Sequence, residues 1–563
     1  MYRTNHKIQL RPIVLLALVV IMTLSSFLLS APARADGSSD TAYDAGKAYY
    51  NSDYKYLNDE SSVFQSVTWE EARYLFEQEG NYLILFGGSW CPNTTAVIDY
   101  INEAAKAAGV DTVYNLDFRL DGTNSDTHIR ETNGSDKSGA AYNYLYGELV
   151  TRYLTNLNDW VEYTVDSESA LTYTNSEGAD VTVPKAQVPF LFLYNKDNTE
   201  NHAGDSEDGA KYPIVYGFEK MLYRDANGEK ALYTDSKTQD GTTRVDDYTE
   251  QLNSAIFDHI KEYPLSTFTD ADYIRLAYNE KSGKTLFEAN DQINIQTLTY
   301  KQTEWLLDQD GEYLILFGGS WCGNTQAVIN IINDYAVENN VTVYNFDTKL
   351  DSSFAKKFLG YSDDVHIRDN NNVFAHLYVD LVNKYLANIE TEYTIESGNY
   401  IYYTDAENGA EVIANKLQVP YIFAYNKNAV DDNGHDTPIL SYVEKMYVLD
   451  ETSEDYINSE ANLADYTEGL TNVIKAYEGG AAAPEDTAAD GTTVDESNET
   501  NKAEAAPANG DTVINETENT GESNNIAKIV VAIIGGLVVV GAVIFLALKK
   551  NKPSDNNGGE GCC

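Results

Sequence analysis

Tyr82-Leu83-Ile84-Leu85-Phe86-Gly87-Gly88-Ser89-Trp90-Cys91 decides the fold, because the same ten residues return 231 positions later as Tyr313-Leu314-Ile315-Leu316-Phe317-Gly318-Gly319-Ser320-Trp321-Cys322. Chance does not produce such a match, so the chain carries an internal duplication. The unbroken apolar runs read as strands buried on both faces. Gly-Gly then marks a turn, and Trp-Cys sits at the mouth of a following helix.

Further pairs at nearly the same spacing extend the repeat. Val113-Tyr114-Asn115 matches Val343-Tyr344-Asn345, Gln187-Val188-Pro189 matches Gln418-Val419-Pro420, Glu219-Lys220-Met221 matches Glu444-Lys445-Met446, and Asp247-Tyr248-Thr249 matches Asp465-Tyr466-Thr467. The copies are placed at 61–263 and 291–477, with 264–290 as a linker. Each is expected to run helix (Thr68 to Glu79; Thr299 to Asp310), strand, Trp-Cys, helix, then a strand at Thr112–Phe118 or Val341–Asp347. A middle piece of about 70 residues follows, read as a helical insertion around Ala140–Leu157 and Val373–Ile389. Strands at Phe190–Tyr194 and Tyr421–Tyr425 come next, then a fourth strand and closing amphipathic helices at Tyr248–Ile260 and Tyr466–Tyr477. Helices alternating with buried strands specify an α/β layered sheet.

The ends carry addresses. Residues 1–35 read as a signal peptide: Arg3, Lys7 and Arg11, an apolar run from Ile13 to Leu29, and Ala33-Arg34-Ala35 as cleavage site. An uncleaved anchor is the rival reading, and both export the body. Residues 526–548 contain an apolar stretch, Ile529 to Leu548, long enough to span a bilayer, and the lysines at 549, 550 and 552 place the tail 549–563 inside. The expected location is therefore the cell membrane, single-pass, with the large N-terminal region extracellular. A wall-anchoring signal around Asn519-Thr520-Gly521 is the minor alternative. Residues 479–525, with 11 acidic residues and one lysine, read as a disordered spacer.

The 563 residues hold 39 Lys+Arg against 88 Asp+Glu, a net charge of −49. Such a surface repels nucleic acid, and any protein partner is expected to be neutral or basic. Four cysteines exclude a disulfide-stapled scaffold. No P-loop, dinucleotide fingerprint, zinc spacing or Ser/His/Asp elbow appears, so neither a metal nor a cofactor is expected. The acidic loops Asp197–Asp208 and Asp431–Asp436 lack EF-hand spacing and read as solvated hairpin tips.

A cysteine at the first turn of a helix has a chemical meaning. Unpaired N–H groups and the helix dipole favour its thiolate, and Pro92 suits the first helical position because it has no N–H to leave unused. Gly323 stands there in the second copy.

Trp90-Cys91-Pro92-Asn93-Thr94 and Trp321-Cys322-Gly323-Asn324-Thr325, each followed by a late Val-Pro (Val188-Pro189; Val419-Pro420), resemble the thioredoxin superfamily. The resemblance implies two tandem thioredoxin-like domains with cis prolines at 189 and 420 beside the reactive sulfur. It also implies a groove in which Trp90, Trp321, Val188, Pro189, Val419 and Pro420 meet an extended substrate. Two departures matter. Cys-x-x-Thr replaces the family's Cys-x-x-Cys, so the resolving thiol is missing. The family's buried Asp six residues before the cysteine is here Leu85 or Leu316. Without a second thiol to deprotonate, a buried base has no task and only a desolvation penalty.

What remains is monothiol exchange with exported partners bearing thiols or disulfides: Cys91 and Cys322 as nucleophiles, Thr94 and Thr325 hydrogen-bonding the sulfur. The alternative is a thioredoxin-fold binding or display module whose thiols are remnants. A Cys91–Cys322 disulfide is geometrically disfavoured. The recurring Asp-x-His-Ile-Arg (Asp126 to Arg130; Asp364 to Arg368) is read as a local Asp–Arg pair anchoring the insertion, rather than as a His acid/base or an Arg-lined binding spot.

Overall fold

The computed structural model describes residues 45–123, 127–131, 141–224, 231–233, 245–406 and 408–479. The expected signal, membrane span and tail lie outside these residues, as do Asp126 and all of the spacer beyond Gly479. Among the described residues, no helix is long and apolar enough to cross a membrane.

The chain is an α/β protein. In the first half, β1 (Phe64–Val67), β2 (Tyr82–Phe86), β3 (Val113–Leu116), β6 (Phe190–Tyr194) and β7 (Ile214–Glu219) form one sheet in the order β1-β3-β2-β6-β7. The pair β4 (Leu171–Thr174) and β5 (Asp180–Val183) and the pair β8 (Leu222–Arg224) and β9 (Ala231–Tyr233) make separate hairpins. The second half repeats the plan with β10 (Ile295–Leu298), β11 (Tyr313–Phe317), β12 (Val343–Phe346), β15 (Tyr421–Tyr425) and β16 (Ile439–Glu444), ordered β10-β12-β11-β15-β16. Its hairpin is β13 (Tyr400–Thr404) with β14 (Glu411–Asn415).

Register explains why the quoted stretch reads as it does. Ile84 pairs in parallel with Tyr114 on β3 and antiparallel with Phe192 on β6, so β2 lies at the centre of its sheet. Every residue of Tyr82–Phe86 and of Tyr313–Phe317 is buried. A central strand covered on both faces has no place for alternating polar residues.

The helix starts are written in the sequence as well. Thr68 accepts from the N–H of Glu71 while the Glu71 carboxylate takes the N–H of Thr68, and Thr299 does the same with Gln302. These capping boxes set the entry to helices Trp69–Phe76 and Tyr300–Leu307.

Three expectations change. Residues 264–290, read as a linker, contain the helix Asp270–Ser282, opened by a Thr269/Asp272 capping box, with Tyr273, Ile274, Ala277 and Tyr278 buried. Its apolar face needs cover, and it packs on Trp69–Phe76 of the first half. The first half also begins before residue 61. The helix Ala45–Asp53 carries Tyr50, which with Tyr54 just beyond it donates to Asn115 Oδ1 (2.9 and 3.3 Å). The middle pieces, expected to be helical, hold the helices Tyr144–Tyr153 and Ala375–Tyr385 but continue into the β4–β5 and β13–β14 hairpins. The short, Tyr- and Thr-rich alternation of those strands was outweighed by the helix pattern before it.

The halves are packed against each other. Tyr144 stacks on Tyr361 (3.9 Å between centroids), Trp69 meets Phe354 (5.7 Å) and Tyr49 meets Trp305 (6.1 Å). At the centre of this contact Lys281 bridges Glu70 at 3.0 Å, both side chains being buried, and donates to the Ser352 carbonyl at 2.9 Å.

Candidate functional site

Each cysteine is the N-cap of the helix that follows it, Pro92–Ala107 or Gly323–Glu338, with φ/ψ of −87/117° and −90/120°. The turn before it is closed from the helix side: Thr95 Oγ1 donates to the Ser89 carbonyl (2.9 Å), and Gln326 Nε2 to that of Ser320 (2.7 Å). The Gly-Gly dipeptide is required by what lies over it. A Cβ on Gly87 would stand 2.7 Å from Thr94 Cγ2, and one on Gly318 2.9 Å from Thr325 Cγ2. A Cβ on Gly88 or Gly319 would collide with an Asp carboxylate and a Trp indole.

Val188-Pro189 and Val419-Pro420 are both cis peptide bonds. The structure brings each against its cysteine: Cys91 Sγ donates to the Val188 carbonyl at 3.4 Å, and Cys322 Sγ to the Val419 carbonyl at 3.4 Å. Neither cysteine is in a disulfide, and both are buried, Cys91 being 4% exposed and Cys322 0%. The sulfurs therefore face a carbonyl oxygen, and neither caps its helix by accepting from backbone N–H groups.

The expected role of Thr94 and Thr325 is corrected. Both side chains are fully buried, and both Oγ1 atoms lack a hydrogen-bond partner. The threonines pack on the Gly87 and Gly318 backbone instead, where they are shape-fillers, while the sulfur has turned to the proline loop.

The tryptophans are also turned inward. Trp90 Nε1 donates to Asp117 (2.8 and 3.1 Å) and Trp321 Nε1 to Asp347 (2.8 Å). Arg119 lies over the Trp90 ring at 4.3 Å, and Lys349 Nζ over Trp321 at 4.0 Å. His128 and His366 approach the same rings edge-on at 5.3 and 5.7 Å. Burial pushes the Asp117 carboxyl up to about 7 and the Asp347 carboxyl up to about 6, against the hydrogen bonds they accept. Burial, with Arg368 and Lys349 nearby, drives His366 well below its ordinary range, which keeps it neutral.

The Asp-x-His-Ile-Arg segment is an anchor, though for the proline loop rather than the insertion. Arg130 Nη1 donates to the Ala186 carbonyl and Arg368 Nη1 to that of Leu417, three residues before each cis proline. Burial lowers the Arg130 pKa below its usual value. Two more groups fix the same loop. Tyr146 accepts the Ala186 N–H (2.8 Å) and Tyr378 that of Leu417 (2.8 Å), while Glu219 and Glu444 each accept the N–H of the following Gln at 2.7 Å. Sequence reasoning did not single out Asp117, Asp347, Tyr146, Tyr378, Glu219 or Glu444 as site residues. The signal was available for the aspartates, since Val-Tyr-Asn-x-Asp recurs in both copies.

Among the described residues, no group of three or more His, Cys, Asp or Glu side chains is placed to hold a metal ion. Asp197 in the first acidic loop is instead paired with Lys211 at 2.7 Å.

No protein-family model matches the chain, and no curated protein does. Among solved structures it is similar to crystal structures of ERdj5. Form I shows 10% identity and a TM-score of 0.14, covering 63% of this chain and 28% of that one; form II shows 9% and 0.15, covering 75% and 30%. Full-length ERdj5 gives 10% and 0.14, covering 63% and 30%. The chain thus spans less than a third of those proteins' length, and at such scores the fold stands on the geometry given above.

Proposed function

We propose that the chain is an exported, membrane-tethered protein with two tandem thioredoxin-like domains, whose Cys91 and Cys322 exchange as single thiols with disulfides or thiols of exported partners. The observation that carries this reading is the convergence, in both halves, of the thiol of a cysteine at the helix N-cap position on the carbonyl before a cis proline at 3.4 Å. The mixed order of parallel and antiparallel strands in each sheet supports the thioredoxin-like assignment. Export and tethering rest on residues 1–35 and 526–548 of the sequence.

The exchange balances without a second protein cysteine. The thiolate of Cys91 attacks one sulfur of a partner disulfide, the partner bond breaks, and the leaving sulfur takes the proton that Cys91 released. An external thiol then attacks the mixed disulfide, frees Cys91 and leaves with the partner sulfur. No cofactor enters.

Burial of both thiols favours the second reading, a non-catalytic module that binds protein partners. One experiment separates them: trapping mixed disulfides on intact cells with wild type, Cys91→Ala and Cys322→Ala. Partners that appear with wild type and vanish in the alanine variants support exchange. An unchanged set of associated proteins in the double variant sinks it.

A further inference from the structure

The face by which the two halves meet holds a cavity of about 60 Å³, lined in part by matching positions from each. Thr68 and Thr299, Asn115 and Asn345, and Asp117 and Asp347 all face it in pairs. These pairs sit at or just beyond the carboxyl ends of β1 and β3 and of β10 and β12, the parallel strands of each sheet. Crevices at that end of an open α/β sheet are where ligands bind.

The two walls are chemically unequal. In the first half, Tyr50 Oη meets Ser66 Oγ (2.9 Å) and donates to Asn115 Oδ1 (2.9 Å), so the trio is closed. In the second half the corresponding trio is Tyr278, on the helix preceding β10, with Thr297 and Asn345. Tyr278 Oη, Thr297 Oγ1 and Asn345 Oδ1 all lack a partner, although none of these residues is more than 7% exposed. Across the cavity, Glu70 Oε2 is a fourth buried atom without a partner, its other oxygen being taken by Lys281. Leaving four such groups bare carries a desolvation penalty for each, so a hydrogen-bonding occupant is strongly favoured.

The lining dictates what the occupant is. Asn345 Oδ1 and Glu70 Oε2 only accept, so the occupant donates at least twice, while the two hydroxyls give or take. Charged side chains of both signs face the cavity, Glu70, Asp117 and Asp347 beside Arg119, Lys301 and Lys349, so the lining singles out neither an anion nor a cation. Tyr49, Tyr273 and Tyr300 supply flat apolar walls. The volume holds about four or five atoms of water size. We propose that this cavity binds a small uncharged polyol, of the size of glycerol or erythritol, bridging the open trio of the second half to Glu70 of the first. The site is separate from either thiol, and the proposal does not depend on thiol exchange.

The test is saturation-transfer NMR on the full chain with glycerol and erythritol as probes and propan-1-ol, which has one hydroxyl, as control. Both polyols are expected to receive transfer at least about fivefold stronger than propan-1-ol. The isosteric Thr297→Val, and separately Tyr278→Phe, should weaken the polyol signal by a similar factor, whereas Cys91→Ser with Cys322→Ser should leave it intact. Equal transfer to propan-1-ol, or a signal unchanged in Thr297→Val, overturns the proposal. So does an absence of transfer at 20 mM probe, the result expected if water alone fills the cavity.

Discussion

Cys91 and Val188 are 97 residues apart in sequence, yet the thiol of one donates to the carbonyl of the other at 3.4 Å, and Cys322 repeats the contact with Val419. A thiol held this way is turned to the carbonyl and screened from solvent. Reaction requires the sulfur to leave the proline loop, a local opening with its own free energy. Iodoacetamide labelling of the native chain should therefore run at least about tenfold slower than in urea, with Cys91 ahead of Cys322 because it alone is not fully buried. Native rates equal to those in urea would contradict the closed geometry.

Arg130 holds the proline loop through the Ala186 carbonyl. Hydrogen bonds from charged groups contribute about 1.5–3 kcal/mol. Arg130→Ala should lower stability by that order in urea unfolding and speed Cys91 labelling, because the loop that covers the sulfur is loosened. Cys322 labelling should stay unchanged, since Arg368 serves its own loop. A uniform rise at both cysteines would mean that the anchor is not local.

Gly88 lies under the Asp117–Trp90 contact, where a Cβ would collide with both partners. Overpacking of this kind typically costs 1–3 kcal/mol. Gly88→Ala should destabilise the chain by about that much and shift Trp90 emission as the indole is pushed out. Gly109, with open space around its Cβ position but a φ of +76°, should lose less on the same change. Circular dichroism and fluorescence in urea separate the two.

The Asp117 and Asp347 carboxyls, raised to about 7 and about 6, give a pH dependence with a definite sign. For an acid whose folded pKa is raised, the folded state binds the proton more tightly, so its contribution to stability is greatest when the group is protonated. It falls as pH rises from about 4 through the folded value. Trp90 and Trp321, bonded to these groups, should report two fluorescence transitions near pH 7 and pH 6. Asp117→Asn should remove the upper transition and Asp347→Asn the lower. A single transition that survives both variants would assign the titration elsewhere.

Lys281 pins the two halves together by pairing with Glu70. Arg73 Nη2 also bonds Glu70 Oε1, at 3.3 Å, so Glu70 keeps one cation when Lys281 is lost. Lys281→Met should therefore destabilise by less than the roughly 3–5 kcal/mol of a fully broken buried pair, and Lys281→Met with Glu70→Gln should recover part of the loss. No recovery in the double variant would show that Lys281 acts through the Ser352 carbonyl instead.

Much of the architecture was legible because local rules and the repeat agreed. Continuous apolar runs located β2, β6, β11 and β15 to the residue or nearly so, and the helices expected from Thr68 and Thr299 have those threonines as their N-caps. The edge strands β1 and β10 escaped, since four residues with a mixed burial pattern carry little periodicity. The Asp270–Ser282 helix escaped because its buried face is meaningful only once packed, against β10 on one side and Trp69–Phe76 on the other.

The sequence by itself determined the duplication, the central strands, the Trp-Cys helix start and the late Val-Pro, because each is encoded within a few neighbouring residues. Only the tertiary structure decided how the site is wired. It turned the sulfur toward Val188 rather than Thr94, the indoles toward Asp117 and Asp347, and Arg130 toward the proline loop. It also left one trio of polar atoms closed and its twin open. Those are choices between partners far apart in the chain, settled by which contacts packing allows and which buried groups find a mate, and no local pattern records them.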